Sequence, residues 1–220
     1  MLKISNLNAS IGNKSILSDV SLHLKTSEVL LVTGHNGSGK STLLHAIMGR
    51  PDIIATGDVG LDDVNLLELA CHERARRGVF MFHQAPPTID GVNTMTLLNE
   101  INNQQEQKYS KRNLIDLAKT SFNGLNLPED WSKRQFNMGA SGGERKKNEL
   151  VHAELFNSKL LLLDEPDSGL EQSSRERIKS LITKNSQRGG VTLLVTHDKE
   201  LQHFYRNNSI ELENGRIIKH

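Results

Sequence analysis

The sequence predicts an α/β fold, with a parallel sheet flanked by helices, β structure ahead of it and a helical insert within it. Three observations carry this reading. The apolar run Val29-Leu30-Leu31-Val32 feeds directly into Gly34-His35-Asn36-Gly37-Ser38-Gly39-Lys40-Ser41-Thr42, a strand followed by a glycine-rich turn and a helix. Apolar runs at 159–163 and 191–195 alternate with helical patterns at 173–185 and 199–206, the order that builds parallel strands with crossover helices. From Thr96 to about Phe136 the chain is polar, with apolar residues at helical spacing.

Taken in order, 2–7, 15–24 and 29–33 read as strands. After the glycine-rich turn, Leu43, Leu44, Ile47 and Met48 form one apolar helix face, closed by Gly49 and stopped by Pro51. A short strand is expected at 58–61, a short helix at 68–77 and a buried strand at 78–82. Ala85-Pro86-Pro87 then breaks regular structure, because proline lacks the N–H that helices and ladders need. In the helical stretch, Leu97, Leu98 and Ile101 are followed by Leu114, Ile115, Leu117 and Ala118. The tail around Glu213-Asn214-Gly215 reads as a hairpin.

Composition excludes several classes. Lys plus Arg total 27 against 26 Asp plus Glu, so the chain has no global field for nucleic acid. Cys71 is the only cysteine, which rules out an internal disulfide or a cysteine-held metal or iron–sulfur site built by this chain alone. The start Met1-Leu2-Lys3-Ile4-Ser5-Asn6-Leu7 lacks the apolar stretch of a signal peptide. No apolar run approaches the ~20 residues that span a bilayer. The expectation is a cytoplasmic protein with no direct membrane insertion.

The glycine-rich turn has a chemical reason. Successive backbone N–H groups can point into one concavity only where side chains do not block it. Gly34 to Thr42 then cradle phosphates: Lys40 reaches the outer phosphates, Ser41 ligates Mg²⁺, and the helix N-terminus adds its positive dipole. Leu160-Leu161-Leu162-Leu163-Asp164-Glu165 reads as a buried strand ending in two acids. There Asp164 can hold the metal's water shell and Glu165 can polarise an attacking water. Ala140-Ser141-Gly142-Gly143-Glu144 opens a third helix, with Ser141 as an N-cap or phosphate donor.

Together these three motifs resemble the ATP-binding cassette (ABC) ATPase family over essentially the whole chain. The resemblance implies an ABC-type P-loop NTPase core: a mixed sheet flanked by helices, an N-terminal antiparallel β subdomain and an inserted helical subdomain. It places the nucleotide-binding core at 1–84 and 157–220, and the helical subdomain carrying the signature at 85–156. The family's remaining motifs fall on Gln84, on Ser168-Gly169-Leu170-Glu171 and on His197. The resemblance implies that Gln84 senses Mg²⁺ and the γ-phosphate, and that His197 contacts the γ-phosphate. Ser141, Gly142 and Gly143 would complete a partner chain's ATP site in a head-to-tail dimer. His35 falls at a variable position of the loop, and most other histidines read as surface or packing residues. Where many members stack adenine on an aromatic ring this chain has Ile11, so the ring–ring contribution of about 1 kcal/mol is lost.

Within the family, Glu144-Arg145-Lys146-Lys147-Asn148-Glu149 and Asp167 resemble SufC, the ATPase branch of the SUF iron–sulfur assembly system. Segments around Gly49-Arg50-Pro51-Asp52 and Phe82-His83-Gln84-Ala85-Pro86 agree. This implies ATP and Mg²⁺ as cofactors, an ATP-dependent dimer, and a SufB/SufD-like scaffold docked near 85–112. Pro166, by contrast, is the residue expected in transporter ATPases, so the nucleotide-binding subunit of a membrane transporter stands as the alternative. The basic run Arg145-Lys146-Lys147 reads as a solvated helix face, and the short spacing from loop to signature argues against the DNA-repair branch.

Overall fold

The computed structural model describes residues 1–219. Two sheets and their helices account for most of the chain. β1 (Leu2–Ile11), β2 (Lys14–Leu24), β4 (Ile53–Leu61) and β5 (Val64–Asn65) form an antiparallel sheet in the order β2-β1-β4-β5. The second sheet holds β3 (Val29–Thr33), β6 (Val79–Phe82), β7 (Leu160–Asp164), β8 (Val191–Val195), β9 (Ser209–Glu213) and β10 (Arg216–Lys219). Its order is β10-β9-β3-β8-β7-β6, parallel throughout except for the terminal β9–β10 hairpin.

The helices are α1 (Lys40–Met48), α2 (Cys71–Arg76), α3 (Thr94–Gln104), α4 (Lys111–Gly124), α5 (Gly142–Leu155), α6 (Gln172–Gln187) and α7 (Lys199–Tyr205). The expected strands at 29–33 and 191–195 have those bounds. β1 and β4 run longer than expected, because they pair with each other along most of their length. The expected helix at 68–77 divides instead: a 3₁₀ turn at Leu66–Glu68 precedes α2. Asn65 caps that turn by accepting the Leu67 N–H, and the chain extends at Leu69 before α2 begins.

Two apolar clusters hold these layers. One lies between the antiparallel sheet, α1 and one face of the parallel sheet, around Leu17, Leu43, Ile47, Leu160 and Leu193. The other covers the opposite face. There Leu31, Phe82, Leu161 and Leu194 pack with Leu98, Leu114, Phe122 and Trp131 from the helical stretch and with Leu150 from α5. The helical stretch therefore shares a core with the sheet rather than closing one of its own. Leu160 to Leu163 are fully shielded from solvent, each side chain contributing about 2 kcal/mol of burial.

Parallel pairing has one consequence for chemistry. Phe82 pairs with Leu163, Asp164 with Val195, and Leu31 with Leu194. The carboxyl ends of β3, β6, β7 and β8 therefore fall at one rim. Open α/β sheets bind ligands there, because the connecting loops splay apart at that edge.

Candidate phosphate and metal site at the sheet rim

The loop leaving β3 is built around backbone conformations that side chains resist. Gly34, Gly37 and Gly39 have φ of 136°, 81° and 109°. Packing adds a second demand for glycine. A Cβ on Gly34 would lie 2.2 Å from the Leu212 carbonyl oxygen, and one on Gly39 would lie 2.8 Å from Leu17 Cδ2. Gly215 N donates to the Ser38 carbonyl at 3.0 Å, so the terminal hairpin braces the loop from outside.

Lys40 begins α1 and is buried. Its Nζ donates to the Gly34 and His35 carbonyls at 2.8 and 2.9 Å, which holds the ammonium inside the curve of the loop. His35 and Asn36 are exposed at the tip, and His35 contributes only its carbonyl to this arrangement. Ser38 is buried with its hydroxyl unpartnered. Ser41 Oγ donates to Asp164 Oδ1 at 3.1 Å, which brings the first turn of α1 against the end of β7. Burial pushes the Asp164 carboxyl up, and the Ser41 bond opposes it.

Glu165 comes next with φ 48°, a left-handed turn that aims its carboxylate along the rim. Gln84 Nε2 donates to Glu165 Oε2 at 2.9 Å, and His197 Nε2 lies 3.3 Å from Glu165 Oε1. Residues 84, 165 and 197 thus meet from the ends of three neighbouring strands. Ile11, Ser41, Thr42, His45, Gln84 and Asp164 line one cleft of about 630 Å³. A smaller recess of about 250 Å³ lies between Glu165, Ser168 and His197. Ile11 is therefore positioned on the same cleft as the loop, exposed.

Ser141, Gly142 and Gly143 line neither of these spaces. They open α5 with a reciprocal cap: Ser141 Oγ accepts the Glu144 N–H at 3.3 Å, and Glu144 Oε2 accepts the Ser141 N–H at 2.8 Å. A Cβ on Gly143 would sit 3.7 Å from the Gly169 carbonyl, so the start of α5 lies beside the 168–171 turn. In one chain the glycine-rich loop and this motif are two separate surfaces.

The basic run does not form a solvated face. Arg145 Nε donates to the Ala140 carbonyl at 3.0 Å, Lys146 Nζ to the Glu165 carbonyl at 2.7 Å, and Lys147 Nζ to Glu171 Oε1 at 2.6 Å. Each cation is committed to a partner within the chain, which corrects the solvated-face expectation. Lys146 is buried, and burial lowers its pKa against the pull of Asp167, Glu165, Glu149 and Asp164. The signal was present in α5 itself: Lys146, Glu149, Leu150 and Ala153 share one helical stripe, and all four are buried.

The histidines are also less uniform than surface or packing roles suggest. His83 Nδ1 donates to Glu149 Oε1 at 2.7 Å, and His83 N donates to Glu149 Oε2 at 2.9 Å. Burial pushes the Glu149 carboxyl up; for His83, burial acts downward but the Glu149 bond and charge outweigh it. His45, 6.3 Å from His83 between ring centres, is pushed down to about 4 by burial and then by Arg50 and His83. No pattern of spacing along the chain connects these residues.

Comparison with known proteins agrees with the geometry. Residues 17–168 match the ABC transporter family. A probable ABC transporter ATP-binding protein of Streptococcus pyogenes is 36% identical over 99% of this chain and 87% of its own length. The probable ATP-dependent transporter ycf16 of Antithamnion sp. is 33% identical over 99% of this chain and 90% of its own. Among solved structures, an ATP-binding subunit of an ABC transporter superposes with a TM-score of 0.83 at 22% identity, covering 99% of this chain and 88% of that one. A dimeric post-hydrolysis structure of the ATP-binding cassette MJ0796, bound to ADP and Pi, gives 0.79 at 23% identity, covering 100% of this chain and 97% of that one.

Proposed function

From the premise that this chain belongs to the ABC transporter ATPase family, we propose that it hydrolyses Mg·ATP in a head-to-tail dimer to move a SufB/SufD-like scaffold in the cytoplasm. The observation that carries the hydrolytic part is the meeting of Gln84, Glu165 and His197 beside the Ser41–Asp164 bond. Gly34 to Thr42 bind the phosphates, with Lys40 already held inside the loop. Ser41 Oγ, the Asp164 carboxylate and the Gln84 amide oxygen are all hard oxygen donors, the set that suits Mg²⁺. When bound there, Mg²⁺ neutralises charge on the outer phosphates. Glu165 orients and deprotonates the attacking water, and His197 stabilises charge developing on the γ-phosphate. Phosphoryl transfer asks little covalent work of the protein, so positioning and electrostatics carry the rate.

The dimer is inferred from the separation of the two surfaces. Ser141 and Gly143 lie outside their own chain's cleft, and a second chain turned head-to-tail would bring them to its phosphates. The SUF reading rests on Glu144 to Glu149 and Asp167, which the structure uses internally: Glu149 holds His83, and Asp167 accepts from Thr196 Oγ1. The transporter reading is favoured by Pro166 and by the transporter names of the relatives.

Two experiments test this. Glu165→Gln should bind ATP, lose nearly all turnover and accumulate an ATP-stabilised dimer; wild-type turnover in that variant would sink the Glu165 assignment. Purification of the tagged chain from its host in mild detergent should co-elute soluble SufB- and SufD-like proteins. A polytopic membrane protein in that eluate would establish the transporter reading instead.

A further inference from the structure

We propose that His83 is a positioning residue for hydrolysis: together with Glu149 it latches the start of the Gln84 segment to α5, and so sets where Gln84 holds Glu165. This rests on the ATPase reading above and adds a residue to it.

The latch is a chelate. Both Glu149 oxygens are used by one residue, Oε2 by the His83 backbone N–H and Oε1 by its ring Nδ1. Backbone and ring are therefore fixed together, which a single bond would not achieve. Glu149 is only 6% exposed, so solvent competes little for either bond. The next residue is Gln84, whose Nε2 donates to Glu165 Oε2. Three side chains thus run in series from the helix opened by Ser141 to the carboxylate at the sheet rim.

The segment on either side of Gln84 has little regular structure to hold it. β6 ends at Phe82, and Pro86 and Pro87 have no N–H to extend the ladder. Downstream, a long-range tie is Asn137 Nδ2 to the Pro87 carbonyl. Between the strand end and that tie, Glu149 supplies the buried anchor. Because Glu149 belongs to α5, any displacement of that helix relative to the sheet reaches Gln84 through His83.

The test is steady-state Mg·ATP hydrolysis by the full chain. His83→Phe keeps a ring and the backbone bond but removes the Nδ1 donor. We expect kcat to fall about tenfold, as one lost charge-assisted bond allows, with KM for ATP within about twofold. His83→Asn places an amide donor near the lost Nδ1 and should recover most of kcat. If His83→Phe fails to fold, Glu149→Gln, which can accept only one of the two bonds, takes its place with the same expectation. Unchanged kcat, or parallel losses in KM and thermal stability with no rescue by His83→Asn, overturns the latch and leaves the ATPase reading standing. A wild-type chain that binds ATP without hydrolysing it overturns both.

Discussion

Lys146 Nζ donates to the backbone carbonyl of Glu165 at 2.7 Å, tying α5 to a non-glycine residue of the rim held at φ 48°. A left-handed conformation at a residue with a side chain costs about 1 kcal/mol or more and persists only when its surroundings impose it. The Glu165 N–H donates to the Val195 carbonyl at 2.9 Å, so both backbone groups of this residue are held. Lys146→Met should leave that carbonyl only the longer bond it accepts from the Ser168 N–H at 3.3 Å, and should remove a buried cation from among four nearby acids. The expected loss is about 2 kcal/mol, read as a lower urea midpoint with unchanged slope.

Ser141→Arg addresses the cross-chain role. The substitution places a long cation at an exposed helix start, outside its own chain's cleft. ATP affinity of the monomer should stay within a factor of about two, while light scattering should show no ATP-dependent dimer. Loss of the cap should cost about 1 kcal/mol of stability. Dimers that form as in wild type would remove Ser141 from the interface.

Arg74 caps the C-terminal end of α1 from within the core. Its guanidinium donates to the carbonyls of Ala46, Ile47 and Leu69 at 2.8, 2.9 and 2.9 Å. Gly49, at φ 84°, is what lets it approach: a Cβ there would lie 2.7 Å from Arg74 Cζ. Arg74→Leu should destabilise the chain by about 2–3 kcal/mol, because charged bonds to helix-end carbonyls are lost together. Gly49→Ala should act in the same direction through strain. A midpoint unmoved by both changes would show that the end of α1 is held by other groups.

Acid sensitivity is expected from His152. Its Nδ1 lies 2.8 Å from the Asn148 carbonyl, so that nitrogen carries the proton and Nε2 is left unpartnered. Burial pushes its pKa from 6.5 down to about 4. The unfolded chain takes up a proton as pH falls through 6.5, whereas the native chain resists until about 4. The stability contributed is thus whole above the unfolded pKa and declines toward pH 4, by about 1.4 kcal/mol per pH unit. Denaturation between pH 7 and 4 should show a shallower pH dependence in His152→Leu. An identical slope would mean that the acid limb belongs to other groups.

The legible part of this protein was local. The β3–loop–α1 unit, the apolar β7 ending in Asp164 and Glu165, and the strand before His197 each announce themselves within about ten residues, because periodicity and glycine placement act over that range. The division of 66–76 into a 3₁₀ turn and α2 was not legible, since Asn65 caps the first turn through a single side-chain bond. The basic run was misleading for a related reason. Charge along a chain says nothing of direction, and Lys146 and Lys147 turn toward Glu165 and Glu171, each about twenty residues away.

By itself, then, the sequence determined the glycine-rich turn after β3, the acids that end β7, the place of His197 after β8, and the order of strands and helices. It could do so because backbone hydrogen bonding and side-chain periodicity are short-range. The tertiary structure alone decided that Gly34 must also clear Leu212, that Glu149 holds His83, and that Ser141 stands away from its own chain's cleft. These depend on how β3, β6, β7 and α5 lie against one another. That arrangement is set by burial of apolar faces from across the whole chain, and no single segment encodes it.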